Sequence, residues 1–322
     1  MGKSMNSKEA KKRVKELRTQ IEYHNNLYYN EDSPEISDYE YDLLTRELKA
    51  LEQEFPELIT KNSPTQKVGG KAKREAGVLI EHDVPMLSLQ DVFSEEEVLE
   101  FVGKMRKELE NPKFTVEMKI DGLSMALRYE DGELKHGITR GDGLIGEDVT
   151  ENARVIQNVK TSLEEKLSYL EVRGEVYMAK ADFEHTNEIQ ELMNKKTFAN
   201  PRNCAAGTLR QLDADIVKER GLSIFVFNVQ AVNGKEFDSH SQSLEWLKKQ
   251  GLPVVDYRVC ETEEEVWEAI CQIGDMRGKL PYDIDGAVVK VDGLKDRELL
   301  GNTSKVPKWA VAYKYPPEEK ET

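Results

Sequence analysis

The hydrophobic pattern of this chain changes period near residues 67–77, and that change restricts the possible folds more than any single motif does. Before it, apolar residues recur at spacings of three and four. From Lys8 to about Asn30, Val14, Leu17, Ile21 and Leu27 fall near one face, which predicts an amphipathic helix that the SPE of Ser33 to Glu35 breaks. Ser37 or Asp38 can cap a second helix, in which Tyr41, Leu44, Leu48, Leu51 and Phe55 repeat until Phe55 and Pro56 end it. Beyond the change, strands are expected around Lys113 to Ile120, Leu123 to Tyr129, Leu134 to Arg140, Leu170 to Met178, Ser223 to Val232, Ile284 to Val291 and Trp309 to Tyr315. Helices are expected around Asp148 to Gln157, Ala181 to Met193, Gln242 to Gln250 and Glu263 to Met276. Short tandem strands joined by turn dipeptides such as Asp131-Gly132 predict an α+β fold with an antiparallel sheet rather than a regular βαβ series. The expected division is a small helical unit over 1–70 and a larger sheet-bearing unit over 71–322, with the boundary in the glycine-containing, charged stretch Lys67 to Gly77.

A chain of 322 residues is long enough for two unequal domains, and 38% hydrophobic with 33% charged residues is a globular composition. No apolar run reaches the length of about 18 residues that a membrane helix needs, and the basic start MGKSMNSKEAKKRV has no apolar core behind it, so a cytoplasmic protein without membrane contact is expected. A formal charge of -15 argues against gripping nucleic acid over the whole surface, which confines any DNA contact to a local patch. Cys204, Cys260 and Cys271 are odd in number and form no CxxC pair, so neither a zinc site nor a disulfide framework is expected.

Chemistry concentrates in KFTVEMKIDGLSMALRYEDGEL. Strand alternation sends Val116, Met118 and Ile120 one way and Glu117, Lys119 and Asp121 the other. The plain alternative is a solvated outer face. The sharper reading is a nucleophile: a free lysine, with a pKa of about 10.4, is an amine only about one part in a thousand near neutral pH, so reactivity calls for a partly buried, cation-rich setting. Two further lysines could supply the cations, Lys290 beside Val288 and Asp292, and Lys314 beside Ala310 and Ala312. Cations there would also stabilise charge on a phosphate as its leaving group departs. KxDG occurs twice, at Lys119 to Gly122 and at Lys290 to Gly293, so the motif alone cannot choose between them.

The ordered blocks SPEISDYEYD, SPTQ, VPMLSL, EMKIDG, TRGDG, EVRGEVYM, FANPRN, AAGTLRQLD, DIDGAVVKV and WAVAYKYPP resemble the NAD-dependent bacterial DNA ligases over nearly the whole chain. The resemblance implies a helical NMN-binding subdomain followed by an antiparallel nucleotidyltransferase (adenylation) domain. It makes Lys119 the adenylated lysine, Glu117 the adenine-recognition residue, Lys290 a lysine near adenine and Lys314 a phosphate contact. Ser88, Leu89, Arg140, Glu175 and Phe227 fall on nucleotide-lining positions, with Glu175 toward the ribose and Phe227 against adenine. Tyr28, Asp38, Tyr39, Glu40, Tyr41 and Asp42 fall in the NMN-binding segment. Asp38, Tyr41 and Asp42 share a helical patch by spacing, and an aromatic face with carboxylates attracts a cationic nicotinamide ring. Tyr29 departs from the histidine many relatives carry. Arg202 and Arg210 match arginines on the phosphate or DNA path. The implied cofactors are NAD and Mg2+, the latter with no ligands identified, and the implied partner is nicked duplex DNA, sealed by the full-length enzyme in replication and repair. A monomer is expected. Because the chain ends at YPPEEKET, without the OB-fold, zinc, helix-hairpin-helix and BRCT modules of the family, self-adenylylation with little nick sealing is expected.

Three other readings compete. RGDGLIGED formally contains GxGxxG, the fingerprint of a dinucleotide-binding dehydrogenase, but Glu147 and Asp148 put negative charge where a pyrophosphate would rest. A non-enzymatic DNA-binding module would draw on the arginine segment, against the overall charge. An ATP-dependent nucleotidyltransferase would share the lysine chemistry and have no need of the SDYEYD hairpin.

Overall fold

The computed structural model describes residues 6–29, 35–61, 63–66 and 78–317, without the side chains of Tyr28, Tyr29 and Asp38. The expected boundary stretch, Lys67 to Gly77, lies outside the described residues, and so do Ser33 and Pro34 of the first expected break. The chain runs through helices α1 (Ser7–Tyr29) and α2 (Asp38–Glu54), strands β1 (Leu79–Glu81) and β2 (Gln90–Val92), helix α3 (Glu95–Glu108), strands β3 (Phe114–Ile120), β4 (Leu123–Glu130), β5 (Glu133–Thr139) and β6 (Ile145–Glu147), and helix α4 (Thr150–Arg154). It continues through β7 (Tyr169–Met178), α5 (Lys180–Leu192), α6 (Pro201–Leu209), α7 (Ala214–Arg220), β8 (Leu222–Val232), α8 (His240–Lys249), β9 (Tyr257–Cys260), α9 (Glu263–Met276), β10 (Ile284–Val291), α10 (Leu294–Leu300) and β11 (Ala310–Lys314).

Helices α1 and α2 pair through their periodic faces, with Ala10, Val14, Leu17, Ile21, Leu48 and Leu51 buried together and Tyr41, Leu44 and Phe55 against them. Ser37, not Asp38, is the N-cap of α2. Its hydroxyl accepts from the Glu40 amide while the Glu40 carboxylate accepts from the Ser37 amide, a reciprocal capping box. The SPTQ segment folds back under the hairpin: Glu52, almost fully buried, accepts from the hydroxyls of Ser63 and Thr65 and pairs with Arg18 at 2.8 Å.

The remaining chain builds a five-stranded sheet in the order β2-β11-β10-β3-β9 and a four-stranded sheet in the order β5-β4-β7-β8, with β1 and β6 as a small ribbon. All pairings are antiparallel except β11 with β2, so the expected α+β antiparallel class holds with one parallel edge among the described strands. Helices α3 and α9 cover the outer face of the five-stranded sheet, burying Phe114, Val116, Met118 and Ile120 of β3 with Val98, Val102, Val266 and Ile270. Helices α4 and α6 to α8 help cover the outer face of the other sheet, with Met125, Leu127, Tyr129, Val172 and Val176 in that core. The inner faces look onto a shared cleft.

One expectation needs correction. The helix expected over Asp148 to Gln157 is only Thr150–Arg154, because the Gln157 amide is drawn to Leu222 O and Ile224 donates to the Asn158 side chain, which ties the following chain to β8. The rival GxGxxG reading, which Glu147 and Asp148 already disfavour, finds no support: Gly141 and Gly143 sit at positive φ in the turn from β5 to β6, with no strand-to-helix crossover.

Candidate active site

Three cross-strand rows on the inner face of the five-stranded sheet carry the charged groups. Register places Thr115, Lys290 and Ala310 in one row, Glu117, Val288 and Ala312 in the next, and Lys119, Gly286 and Lys314 in the third. The three lysine-bearing strands do meet: Lys119 and Lys314 share a row across Gly286, and Lys290 lies two rows away on the same face. The middle positions of the second and third rows are Val288 and Gly286, and at Gly286 the fit is tight: an added Cβ would lie 2.3 Å from Tyr313 O and 3.3 Å from Lys119 Cδ. No outer solvated face exists here, since Glu117 is 1% exposed and Lys290 4%.

At the first two rows the charges are matched. Lys290 Nζ lies 2.8 Å from Glu117 Oε1 and 3.3 Å from Phe227 O, while Glu117 Oε2 accepts from Thr115 at 2.9 Å and lies 3.0 Å from His240 Nε2. Burial alone would raise the Glu117 pKa, but Lys290 and His240 outweigh it and hold the carboxyl at about 2. Burial pushes the His240 pKa down to about 4, so the ring is neutral and donates Nε2–H to the carboxylate.

At the third row the charges are crowded. Lys119 Nζ and Lys314 Nζ each lie 3.3 Å from the Asp285 carboxylate, and Lys314 also reaches Asp42 at 2.7 Å. Thus the nearest charge to Lys119 is a carboxylate, not the cation anticipated from sequence. Burial, Asp285 and Asp283 push Asp121 up to about 8, Lys119 pulling the other way; burial takes Glu175 to about 7, and burial with Asp42 takes Asp91 to about 6. Asp285 goes the other way: against burial, Lys119, Lys314 and Arg202 hold it well below the usual range.

The cleft between the sheets and the hairpin has a volume of about 1250 Å³, and Tyr41, Asp42, Ser88, Leu89, Glu117, Lys119, Arg140, Glu175, Phe227, Lys290, Lys314, Arg202 and Arg210 all line it. Arg140 donates to Met86 O and Ser88 Oγ, and Arg173 to Leu87 O, which pins the VPMLSL segment along one wall. Arg202 approaches Asp121 at 3.5 Å. The Phe227 ring is partly buried and lies between Lys290 and Arg173, at 5.1 and 5.5 Å. Glu175 accepts from Ser124. Tyr39 and Glu40 do not line the cleft: Tyr39 packs edge-on against Phe93 at 5.6 Å, and Glu40 is committed to its cap. Their places on the helix explain it, because Tyr41, Asp42, Thr45 and Lys49 form the facing stripe. The side chains of Tyr28, Asp38 and Tyr29 lie outside the described residues.

Sequence reasoning missed Asp285 and His240. Strict alternation puts Asp285 on the face opposite Gly286 and Lys290, but the register of β10 against β3 shifts between Ile284 and Gly286, and this bulge aims the carboxylate into the cleft. His240 reaches Glu117 across 123 residues of chain, a contact no local pattern reveals.

Residues 77–318 match the family model for the NAD-dependent DNA ligase adenylation domain, and residues 7–69 match that of the DNA ligase-like, N-terminal NAD+-binding domain. The chain belongs to the NAD-dependent DNA ligase family. A DNA ligase of Clostridium kluyveri is 57% identical over 98% of this chain and 47% of its own length, and one of Acetivibrio thermocellus is 52% identical over 98% and 48%. The chain thus spans about half the length of the curated relatives it matches. Among solved structures, a putative ATP-dependent DNA ligase from Aquifex aeolicus aligns at 17% identity and a TM-score of 0.40, covering 76% of this chain and 54% of that one. The hairpin falls in the segment that matches the NAD+-binding domain, and the lysine cleft falls in the one that matches the adenylation domain. No described helix is long and apolar enough to cross a membrane.

Proposed function

We propose that the chain transfers AMP from NAD to Lys119 of its own adenylation domain, the opening half-reaction of DNA ligation. Nζ of Lys119, as the neutral amine, attacks the adenylyl phosphorus; a phosphoramidate N–P bond forms, the pyrophosphate P–O bond breaks, and NMN leaves with that oxygen. The observation that carries this reading is the placement of Lys119, Lys290 and Lys314 on one cleft face, with Gly286, where no side chain fits, between the first and last. Lys314, held protonated by Asp285 and Asp42, is the cation for the phosphates. Glu117 and Lys290 bind adenine beside Phe227, Glu175 the ribose, and Ser88, Leu89 and Arg140 the nucleotide wall. Residues 1–70 form the NMN-binding subdomain, with Tyr28, Asp38, Tyr41 and Asp42 assigned to the nicotinamide nucleotide, and 71–322 form the adenylation domain.

Magnesium fits as an ion arriving with the donor's pyrophosphate. Among the described residues no three His, Cys, Asp or Glu side chains converge on a metal position, and magnesium is commonly held by one or two carboxylates plus substrate phosphates. Asp121, whose buried Oδ1 accepts no hydrogen bond and has the Arg202 guanidinium 3.5 Å away, and Glu175 are the carboxylates that would hold it. Once bound, the ion would neutralise charge on the phosphate oxygens. In the full-length enzyme the AMP then passes to the 5′-phosphate of nicked duplex DNA, along a path that includes Arg202 and Arg210, and the nick closes to its 3′-hydroxyl during replication and repair. The working unit is a monomer.

Intact mass after incubation with magnesium and either NAD or ATP tests the reading, with Lys119→Ala alongside. One added AMP from NAD only, absent from the variant, is the expected result. Addition from ATP would place the chain with ATP-dependent nucleotidyltransferases, and no addition from either would leave a binding module.

A further inference from the structure

The matched end of the cleft contains more donors than a simple adenine contact needs. A carboxylate offers about four lone-pair positions, two on each oxygen. On Glu117, Oε2 is filled by Thr115 Oγ1 at 2.9 Å and His240 Nε2 at 3.0 Å, and Oε1 takes one bond from Lys290 at 2.8 Å. One acceptor position remains, on Oε1. Of the three Lys290 protons, one goes to Glu117 and one to Phe227 O at 3.3 Å, so one donor remains. Glu117, Lys290 and Phe227 line the cleft, whereas Thr115 and His240 sit behind them, 0% and 1% exposed. His240 is itself fixed: its amide donates to Asp292 O, and the next residue, Ser241, donates through both amide and hydroxyl to the Asp292 carboxylate.

We propose that His240 is a specificity-determining positioning residue: by occupying Glu117 Oε2 from behind, it leaves a single acceptor on Oε1 beside a single donor on Lys290, a pair that reads a 6-aminopurine and rejects a 6-oxopurine. An adenine edge offers an exocyclic N–H and an unprotonated ring nitrogen, which complement that pair. A hypoxanthine edge offers a carbonyl oxygen and a ring N–H, so it sets oxygen against carboxylate and N–H against ammonium, and it is rejected because a buried polar pair left mismatched is costly. Without the donor at position 240, Glu117 Oε2 has a lone pair to satisfy, and the carboxylate is free to rotate toward Lys290 and use up the donor meant for the base.

The inference rests on the proposed transfer of AMP from NAD, and the experiment separates the two. Single-turnover AMP addition is measured with NAD and with nicotinamide hypoxanthine dinucleotide for the unaltered chain, His240→Leu, His240→Gln and Thr115→Val, each checked for folding by thermal melting. If the unaltered chain takes no AMP from NAD, the functional reading fails before the inference is reached. Otherwise His240→Leu is expected to lower the preference for NAD over the hypoxanthine analogue about tenfold, through the apparent affinity for NAD and not the maximal rate. His240→Gln keeps an N–H in place and is expected to recover the preference to within about threefold. Thr115→Val removes the other donor on the same oxygen and lowers it about threefold, which also serves should His240→Leu not fold. An unchanged preference in folded His240→Leu, or in Thr115→Val where the former does not fold, overturns the proposal; so does a His240→Gln chain as indiscriminate as His240→Leu.

Discussion

The two ends of the lysine-bearing sheet face treat charge in opposite ways. Around Glu117 and Lys290 each charge meets an opposite partner, and the carboxyl is held at about 2. Around Lys119, only two strand positions along, Asp121 rises to about 8 and Glu175 to about 7, because burial penalises both carboxylates, with Asp285 adding repulsion, by more than Lys119 offsets. The first arrangement is complete before any ligand arrives and suits recognition of an uncharged base. The second is deficient in positive charge and suits a site that receives a magnesium-bearing pyrophosphate. Within one sheet face, the charges proposed to select the base are matched and those around the lysine proposed to react are crowded.

Substitutions can break each half of that contrast. The largest effect on stability is expected from Lys290→Met, which leaves Glu117 buried without its main cation; loss of one partner of a buried pair costs about 3–5 kcal/mol, readable as a lower urea midpoint. Gly286→Ala should cost about 1–3 kcal/mol through overpacking, since the new methyl meets Tyr313 O and presses on Lys119, and AMP addition should fall with it. Glu175→Gln sharpens the contrast in the opposite direction. Burial raises this carboxyl from 4.5 to about 7, so the ionised form is penalised in the fold. The penalty is full above about pH 7, shrinks as pH falls, and is absent below the ordinary carboxyl value. The glutamine chain should therefore gain on the order of 2 kcal/mol at pH 8 and nothing at pH 4, while AMP addition drops. The smallest effect is expected from Asp42→Asn. It removes the 2.7 Å contact to Lys314 yet also relieves repulsion on Asp91, so α2 should exchange its amide hydrogens only a few times faster, less than about 1 kcal/mol.

Much of the fold was legible because its elements announce themselves locally. The hairpin follows from its three-and-four spacing and its Ser37 to Glu40 box, α9 matches its expected limits of Glu263 and Met276, and seven strands fall within about two residues of expectation. Strands β2 and β9 went unread because each is short and exists through an edge pairing, with β11 and with β3. Helix α3 carried signals that were overlooked: Ser94 as cap, three glutamates in the first turn, and Val98, Val102 and Met105 on one face. In the site, residue types were legible and geometry was not. Lys119, Lys290 and Lys314 could be picked out singly, but their meeting depends on register, Asp285 on a bulge, and His240 on a contact distant in sequence.

The order β2-β11-β10-β3-β9 has a consequence for how the protein is made. The strand bearing Lys119, Phe114–Ile120, acquires its inner neighbour only when Ile284–Val291 has been synthesised, and β2 waits for β11 at Ala310–Lys314. Such separations slow folding, because long loops must close before the pairings that reward closure can form. On the ribosome, Glu117 has no Lys290 and Lys119 no Asp285 until about residue 290 has emerged, whereas the amino-terminal hairpin can already be folded and waiting. A nascent chain thus has no complete lysine cleft until strands β10 and β11 are in place.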